Sequence, residues 1–399
     1  MTKPTYRDLF RTAGFVRVIS TQLLARFPFG MMSIALVMHI QHLYGNYTIA
    51  GISLGAETVG AAISQPVLGR AMSKYGIRQI LLPSATISAL CTFAVIFVSN
   101  AEILTVFFAL CIGLFSPPIQ SAARTVYPTM VKKRLLPLLF SFDAASQEII
   151  WVIGPVLATI LAAQFNTAFP VITMGIIQIL GAISFTSNHE VKNLKIPAST
   201  RRMGGVLKNK VVLANLVLGM LLIGSFSGVE VGTVALFDKN TAGWLIASLS
   251  VGSMLGGVLI GRHNHGKLAL TRFLVLVCIG YGLVLVLPYQ ATWVALCWFI
   301  AGLGVAPALG VLGAIIGVKV KTADASEAYG WVGTGQLVGY SAGAAIAGIA
   351  IDTVSPVAAL AISVVLGIGA VIVALLTLGI TPDLGEPNPD TQSITVIKE

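Results

Sequence analysis

The sequence has little charge and few cysteines for its length. Only 10% of its 399 residues are charged, whereas about a quarter is usual for a soluble domain. This shortage excludes a soluble enzyme, a disordered protein and a nucleic-acid-binding domain. The four cysteines lie in apolar segments without CxxC spacing, so they indicate neither a metal site nor a disulfide framework. They are Cys91, Cys111, Cys278 and Cys297.

Apolar residues dominate the chain. Hydrophobic residues make up 56% of it, and the mean hydropathy is +0.89. A helix needs roughly 20 apolar residues to cross a hydrocarbon core of about 30 Å. The apolar segments therefore predict an all-α integral membrane protein with twelve transmembrane helices. The predicted spans are 15–42, 47–68, 79–98, 102–124, 137–163, 168–186, 211–235, 241–260, 271–289, 291–317, 329–351 and 356–379.

The distribution of Lys and Arg predicts the orientation of these spans. Nearly all of the 25 basic residues fall at the N-terminus, in alternate breaks between spans, or in the tail. Lys239 falls on the other side, and Arg26 lies within the first span. Because cytoplasmic loops carry the excess of Lys and Arg, both termini are predicted to be cytoplasmic. The net charge of +10 is then explained by topology rather than by an acidic partner.

Two parts of the sequence resemble each other. Residues 49–70 and 241–262 can be aligned, and each segment ends in Gly-Arg. Gln147 and Gly154 likewise echo Gln336 and Gly343. A parallel repeat of two pseudo-symmetric six-helix bundles would place a substrate cavity at their interface; the alternative is that glycine-rich helices are alike by chance. The predicted division is an N-terminal bundle at 1–186, a central cytoplasmic loop at 187–210, a C-terminal bundle at 211–380 and a cytoplasmic tail at 381–399.

Ionisable side chains at membrane depth mark a candidate functional site, because burying them in lipid is costly. Arg26, Glu57 and Glu148 lie near the middle of their predicted spans. Arg26 opposite Glu57 or Glu148 would neutralise one carboxylate and leave the other to bind a proton or a cationic substrate group. The alternative is a static buried pair. Gln147 and Gln336 are predicted either to line the cavity or to form an interhelical hydrogen bond.

Further charged residues lie nearer the predicted cytoplasmic side. Arg124 and Asp143 lie at similar shallow depth, which predicts a cytoplasmic gate or a structural pair. Asp324 and Glu327 open the eleventh span and are predicted to cap that helix.

Three motifs carry a resemblance to a known family. The segment Gly69-Arg70-Ala71-Met72-Ser73-Lys74-Tyr75-Gly76-Ile77-Arg78 resembles the loop between helices two and three of the major facilitator superfamily. Gly154-Pro155 resembles the glycine-proline motif of its antiporter branch, and Ser326-Glu327-Ala328-Tyr329-Gly330-Trp331 resembles a helix-eleven entry of bacterial exporters. The resemblance implies a gating role for the motif residues Gly69, Arg70, Ser73, Lys74, Gly76, Arg78, Gly154 and Pro155.

The sequence departs from the family pattern at several positions. Ser73 stands where the signature loop usually carries an acidic residue that takes part in a charge network between the halves, so this connection is expected to be weaker or differently built. The arginine of proton-linked exporters would fall near Ala109. Ala158 and Thr159 replace a glycine pair.

The resemblance implies a secondary transporter, not an enzyme, that exports a small organic molecule by alternating access. Because no ATP-binding domain is encoded, the expected energy source is a proton gradient. The alternatives are an importer or uniporter of the same fold and, from another class, a membrane sensor or intramembrane enzyme. No cofactor is expected. The expected setting is the bilayer of the cell membrane, with a small-molecule substrate, no nucleic acid and a monomeric chain.

Overall fold

The structure is a computed structural model that describes residues 5–45, 47–98, 101–192, 194, 197, 201–261 and 266–384. Arg262, part of the predicted central loop and the tail beyond residue 384 lie outside this range. Helices account for the regular secondary structure of the described residues, as the sequence predicts. They are α1 (Tyr6–Phe10), α2 (Phe15–Tyr44), α3 (Tyr47–Tyr75), α4 (Ile77–Phe97), α5 (Glu102–Leu114), α6 (Ile119–Met130), α7 (Leu136–Gln164), α8 (Ala168–Thr186), α9 (His189–Lys192), α10 (Lys210–Leu236), α11 (Lys239–Leu255), α12 (Ala269–Val284), α13 (Ala291–Lys319), α14 (Thr322–Thr353) and α15 (Pro356–Leu376).

Within the described residues, ten segments are long and apolar enough to cross a membrane. The other two predicted spans are also helical, but one is shorter and the other is more polar. Helix α12 has only 16 residues, about 24 Å at 1.5 Å per residue. Helix α3 has 29 residues but carries Glu57, Arg70 and Lys74 among several hydroxyl side chains. The count of twelve transmembrane helices and the orientation of the termini therefore remain predictions.

The fourth predicted span is not one continuous helix. Helix α5 ends at Leu114 and α6 begins at Ile119. Pro117 and Pro118 lie in the break. Proline lacks a backbone N–H and its ring clashes with the preceding turn, so two consecutive prolines interrupt the helix. The break places Gln120 in the first turn of α6.

The eighth predicted span changes from an α-helix to a π-helix near its end. Helix α11 is followed by a π-helical turn at Gly256–Ile260. Such turns leave backbone groups without their usual helical partners. Here the hydroxyl group of Tyr6 donates to the carbonyl oxygens of Gly257 and Val258. The turn also brings Gly257 against Ala145 of α7, so close that a Cβ added at Gly257 would lie 2.5 Å from the Ala145 Cβ.

The helices pack as two sets that meet on one side. In the first set (α2–α8), α2 packs against α8 and α7, and α3 packs against α5. In the second set (α10–α15), α10 packs against α14 and α15, and α13 packs against α11 and α12. The two sets meet where α3 contacts α14 and where α7 contacts α13 and α11. We call the side of the bundle that holds Arg70, Arg124 and Lys321 the basic side.

Candidate functional site

The first contact between the sets lies on the basic side, between α3 and α14. Arg70 Nη1 lies 2.6 Å from Glu327 Oε2. Gly69 allows the two backbones to approach, since a Cβ there would lie 2.7 Å from the carbonyl oxygen of Ser326. About two helix turns further in, the hydroxyl group of Thr334 donates to the carbonyl oxygen of Ala62 at 2.6 Å. The interface is therefore tight from the helix ends to this depth.

The segment that precedes α10 forms hydrogen bonds with both residues of the Arg70–Glu327 pair. The backbone N–H of Gly204 donates to Glu327 Oε1 at 2.8 Å, and Arg70 donates to the carbonyl oxygen of Arg201. Arg201 Nε also lies 3.4 Å from Asp324 Oδ2. The prediction that Asp324 and Glu327 cap their helix is wrong, because α14 begins at Thr322, seven residues before the predicted span, without a side-chain cap. Both carboxylates bind arginines instead.

The remaining residues of the signature loop lie beside Arg70. Ser73 is buried and donates its hydroxyl hydrogen to the carbonyl oxygen of Arg70 at 2.8 Å. Gly76 has φ +97°, which favours glycine, and makes the turn between α3 and α4. Lys74 and Arg78 are exposed. Thus the acid that the family pattern would place at Ser73 is absent, and Glu327 of α14 supplies the carboxylate.

The second contact between the sets joins α7 to α11 and α13. Gly310 of α13 lies against Ser141, because a Cβ at Gly310 would be 2.5 Å from the Ser141 Oγ. Further along α7, Ser253 of α11 donates its hydroxyl hydrogen to Glu148 Oε1 at 2.7 Å. Glu148 is partly exposed. None of the ion pairs within the described ranges involves Glu148.

Beyond Glu148 the side chains of α7 are largely exposed. Ile149, Trp151, Val152 and Ile153 are all exposed, Trp151 at 51%. The three consecutive positions 151–153 point in different directions around α7, so more than one face of the helix is uncovered, although Ile150 is buried. Gly154 instead packs against α2, where a Cβ would lie 2.5 Å from the carbonyl carbon of Gly30. The contacts between the sets described above therefore run from the basic side to the Ala62–Thr334 and Glu148–Ser253 pairs.

A buried charge cluster lies within the first set. The Asp143 carboxylate is fully buried, with Arg26 Nη1 at 3.3 Å from Oδ1 and Arg124 Nε at 3.4 Å from Oδ2. Tyr127 and Gln22 also donate to Oδ1, at 2.9 and 3.1 Å. Arg124 and Asp143, which are predicted to form a cytoplasmic gate or a structural pair, thus form an ion pair. Arg26 pairs with Asp143 and not with Glu57 or Glu148, because Asp143 lies on the face of α7 that packs against α2.

Gln120 completes this cluster from the first turn of α6. With its amide oxygen turned toward the guanidinium groups, Gln120 accepts hydrogen bonds from Arg26 Nη2 at 3.3 Å and Arg124 Nη2 at 2.8 Å. Gln22, Gln120 and Tyr127 are not among the residues predicted from the sequence. The spacing of Gln22 four residues before Arg26, and of Tyr127 three residues after Arg124, places each pair on one helix face and was the available signal.

The other predicted polar residues are more dispersed. Glu57 is buried, and the Thr58 hydroxyl lies 3.5 Å from its Oε2. One side-chain amide atom of Gln120 lies 3.4 Å from Gln147 Oε1. Gln336 contacts Gly219 of α10, where an added Cβ would lie 3.2 Å from the Gln336 Cγ. Gln147 and Gln336 are both partly exposed, and each contacts a helix of its own set. No group of three His, Cys, Asp or Glu side chains that could hold a metal ion occurs in the described part of the chain.

Comparison with known proteins identifies the fold. The sequence model of the family described as the Major Facilitator Superfamily matches residues 18–249 and 236–398. Comparison with curated protein sequences gives no match. Among solved structures, a bacterial homologue of the iron transporter ferroportin in an outward-facing state has a TM-score of 0.75 at 11% identity. The match covers 90% of this chain and 98% of that chain.

A second similar structure is the human organic anion transporter MFSD10. It has a TM-score of 0.69 at 14% identity, and the match covers 93% of this chain and 100% of that chain. At these identities the likeness shows the fold alone. The first is described as a homologue of an iron transporter and the second as an organic anion transporter, so the shared fold does not fix the cargo.

Proposed function

Because the chain belongs to the major facilitator superfamily and is a multi-pass membrane transporter, we propose that it exports a small organic molecule by alternating access, driven by a proton gradient. The transporter works as a monomer in the cell membrane. Its two halves, residues 1–186 and 211–380, move against each other around a site near the middle of the membrane. The basic side is cytoplasmic in this proposal, as the positive-inside rule favours.

The observation that carries this proposal is the one-sided contact between the helix sets. Gly69, Gly257 and Gly310 bring backbones together on the basic side, whereas α7 is uncovered beyond Glu148. With a cytoplasmic basic side, this arrangement is outward-facing. Contacts through glycine and small side chains can separate without breaking an interlocked core, and this favours a rocking motion.

Glu148 is the residue that we assign to the coupling proton. It lies at the Glu148–Ser253 contact between the sets and is partly exposed, which in this proposal gives water access to it. Its partner, Ser253, belongs to the other set. A hydroxyl group can either donate to a carboxylate or accept from a protonated carboxyl group. Protonation of Glu148 therefore changes a contact that joins the two halves.

The test is substrate-dependent proton movement in proteoliposomes. The purified protein is given an imposed pH gradient and a panel of aromatic anions, neutral compounds and lipophilic cations. We expect at least one compound to move together with protons in the wild type, and Glu148→Gln to lose the proton movement. Glu102→Gln, which removes an exposed carboxylate in the first turn of α5, is the matched control and should keep it.

The outcomes separate the proposed function from its alternatives. Compound movement that ignores the pH gradient and survives in Glu148→Gln would contradict proton coupling and indicate a uniporter. Movement driven in the same direction as the protons would contradict export and indicate an importer. Movement of no compound in any reconstitution of folded protein would contradict transport of these substrate classes.

A further inference from the structure

The buried cluster of the first set holds more positive than negative charge. Arg26, Arg124 and Asp143 are 4%, 5% and 0% exposed. Among the ion pairs of the described residues, Asp143 is the one carboxylate that meets either arginine. Two guanidinium groups thus share one carboxylate, which leaves a formal charge of +1. An excess buried charge is costly unless a partner neutralises it.

The guanidinium groups converge on one neutral oxygen. Arg26 Nη2 and Arg124 Nη2 lie 3.3 and 2.8 Å from the side-chain oxygen of Gln120. Guanidinium N–H groups form strong, charge-assisted hydrogen bonds with carboxylate and phosphate oxygens, and here one from each arginine is directed at the same point. A neutral amide oxygen satisfies the hydrogen bonds there but does not cancel the charge.

Gln120 connects this point to the part of α7 that contacts the second set. Gln120 and Gln147 are partly exposed and their amides lie 3.4 Å apart, and Glu148 follows Gln147 in α7. Both arginines contact the Gln120 side chain and are buried. Movement of the partly exposed Gln120 side chain would vacate the oxygen position that both guanidinium groups face.

We propose that Arg26 and Arg124 recognise one oxyanion group of the transported molecule, a carboxylate, phosphate or sulfonate, in the position that the Gln120 amide oxygen holds. The assignment of this group to a transported molecule rests on the proposed function. The substrate class is thus a small organic anion, whose charge completes the neutralisation that Asp143 begins. Gln22 and Tyr127 are positioning residues, because they hold Asp143 and leave the second Nη of each arginine to the ligand.

The first experiment measures ligand protection of the purified protein in lipid nanodiscs. The melting temperature is recorded with benzoate, phenyl phosphate and benzenesulfonate, and with benzamide, benzyl alcohol and benzylamine as neutral and cationic counterparts. We expect at least one anion to raise the melting temperature in a saturable way, while benzamide and benzylamine do not. Equal protection by benzamide, or no protection by any of the three anions, would overturn the proposal.

Two variants with opposite changes of charge distinguish recognition from a structural role. Arg124→Gln removes the excess charge, so the half-saturating anion concentration should rise about tenfold or more. Asp143→Asn increases the excess charge, so that concentration should fall. Arg272→Gln, in which an exposed arginine of α12 is replaced, is the control and should leave it unchanged. The same direction of change in Arg124→Gln and Asp143→Asn would overturn the proposal.

A third variant tests the proposal even if Arg124→Gln and Asp143→Asn do not fold. Gln120→Glu places a carboxylate of the same shape between the arginines. It should raise the melting temperature without ligand and abolish protection by the anions, because the site is then neutralised internally. A lower melting temperature, or unchanged protection, would overturn the proposal.

The binding and transport outcomes are independent of each other. Anion protection that depends on Arg124, without movement of any compound in proteoliposomes, would support the site and contradict the proposed function. Coupled movement of a neutral or cationic compound that is unchanged in Arg124→Gln would support the transporter and contradict the anion site.

Discussion

Arg70 of α3 and Glu327 of α14 form an ion pair, with 2.6 Å between Nη1 and Oε2, that joins the two helix sets at the basic side. The Glu327 side chain is 2% exposed and its second oxygen accepts from the N–H of Gly204. The resemblance to the signature loop leads one to expect an acid at Ser73. Here Glu327 supplies the carboxylate from the opposite helix, so the connection is differently built rather than missing.

We predict that Glu327→Gln weakens closure of the basic side. A hydrogen bond to a charged group contributes about 1.5–3 kcal/mol, so the ratio of closed to open molecules should fall by about tenfold or more. Spin labels at the exposed positions Tyr75 and Lys321 would report a longer distance in pulsed electron resonance. Glu102→Gln should leave the distance unchanged. An unchanged distance in Glu327→Gln would contradict a closing role for the pair.

Gly69 is predicted to be required for the same closure. A Cβ at Gly69 would lie 2.7 Å from the carbonyl oxygen of Ser326, whereas one at Gly55 of the same helix meets nothing within 4 Å. Gly69→Ala should therefore destabilise the closed arrangement by about 1–3 kcal/mol and reduce transport. Gly55→Ala should retain transport, since alanine favours helix formation over glycine by about 1 kcal/mol. Equal activity of both variants would contradict this role of Gly69.

Gly154 is predicted to stabilise the first helix set itself. The Cβ of alanine would lie 2.5 Å from the carbonyl carbon of Gly30, and backbone atoms cannot move aside as a flexible side chain can. Gly154→Ala should lower the melting temperature, with a cost of about 1–3 kcal/mol. Gly243→Ala, an exposed position with nothing within 4 Å, is the control. A melting temperature of Gly154→Ala at or above that of the control would refute the close crossing of α2 and α7.

The pair between Arg17 and Glu190 should make a small pH-dependent contribution to stability. Arg17 Nη2 lies 2.8 Å from Glu190 Oε2 and joins α2 to α9. Partial burial raises the pKa of Glu190, but hydrogen bonds from its own backbone N–H and from Arg17 outweigh burial and leave that pKa below 4.5. Because the folded state holds the lower pKa, the stabilisation is present above 4.5 and is lost as the pH falls below it.

The corresponding experiment compares the melting temperatures of wild type and Glu190→Gln over a pH series. The difference should correspond to about 1 kcal/mol or less at pH 7, because Arg17 is largely exposed, and should disappear in acid. A difference that grows as the pH falls would show that the pair does not act through the ionised carboxylate.

The helical architecture could be predicted from the sequence, because lipid requires long apolar helices whose lengths and breaks are visible in the composition. The residues at which individual helices begin and end could not be predicted in the same way. The polar first turns of α14 resemble a loop by hydropathy, yet Asp324 and Glu327 are buried there because arginines from other segments meet them. Pro117 and Pro118 mark the break before α6 in the sequence. The residues around them are largely apolar, however, so hydropathy predicts one continuous span there.

The candidate site was predictable only in part. Membrane depth identifies Arg26, Glu57 and Glu148 as unusual residues, and the pairing of Arg124 with Asp143 follows from their similar depth. Depth does not reveal which face of a helix a side chain occupies relative to a neighbouring helix. The pairing of Arg26 with Asp143 and the contact of Glu148 with Ser253 depend on how α2, α7 and α11 are rotated, and the packing of the bundle determines that.

The central claim is that α3 and α14 must separate on the basic side for transport, and a reversible cross-link at mid-depth tests it most directly. Ala62→Cys together with Thr334→Cys, in a background without the four native cysteines, places one thiol on each of the two helices at the contact between the Thr334 hydroxyl and the Ala62 carbonyl oxygen. Transport of the active compound and its coupled proton movement are then measured in proteoliposomes before oxidation, after oxidation and after reduction. Alternating access predicts that oxidation stops both movements, that reduction restores them, and that each single-cysteine variant ignores the oxidant. Undiminished transport by fully cross-linked protein would contradict the account.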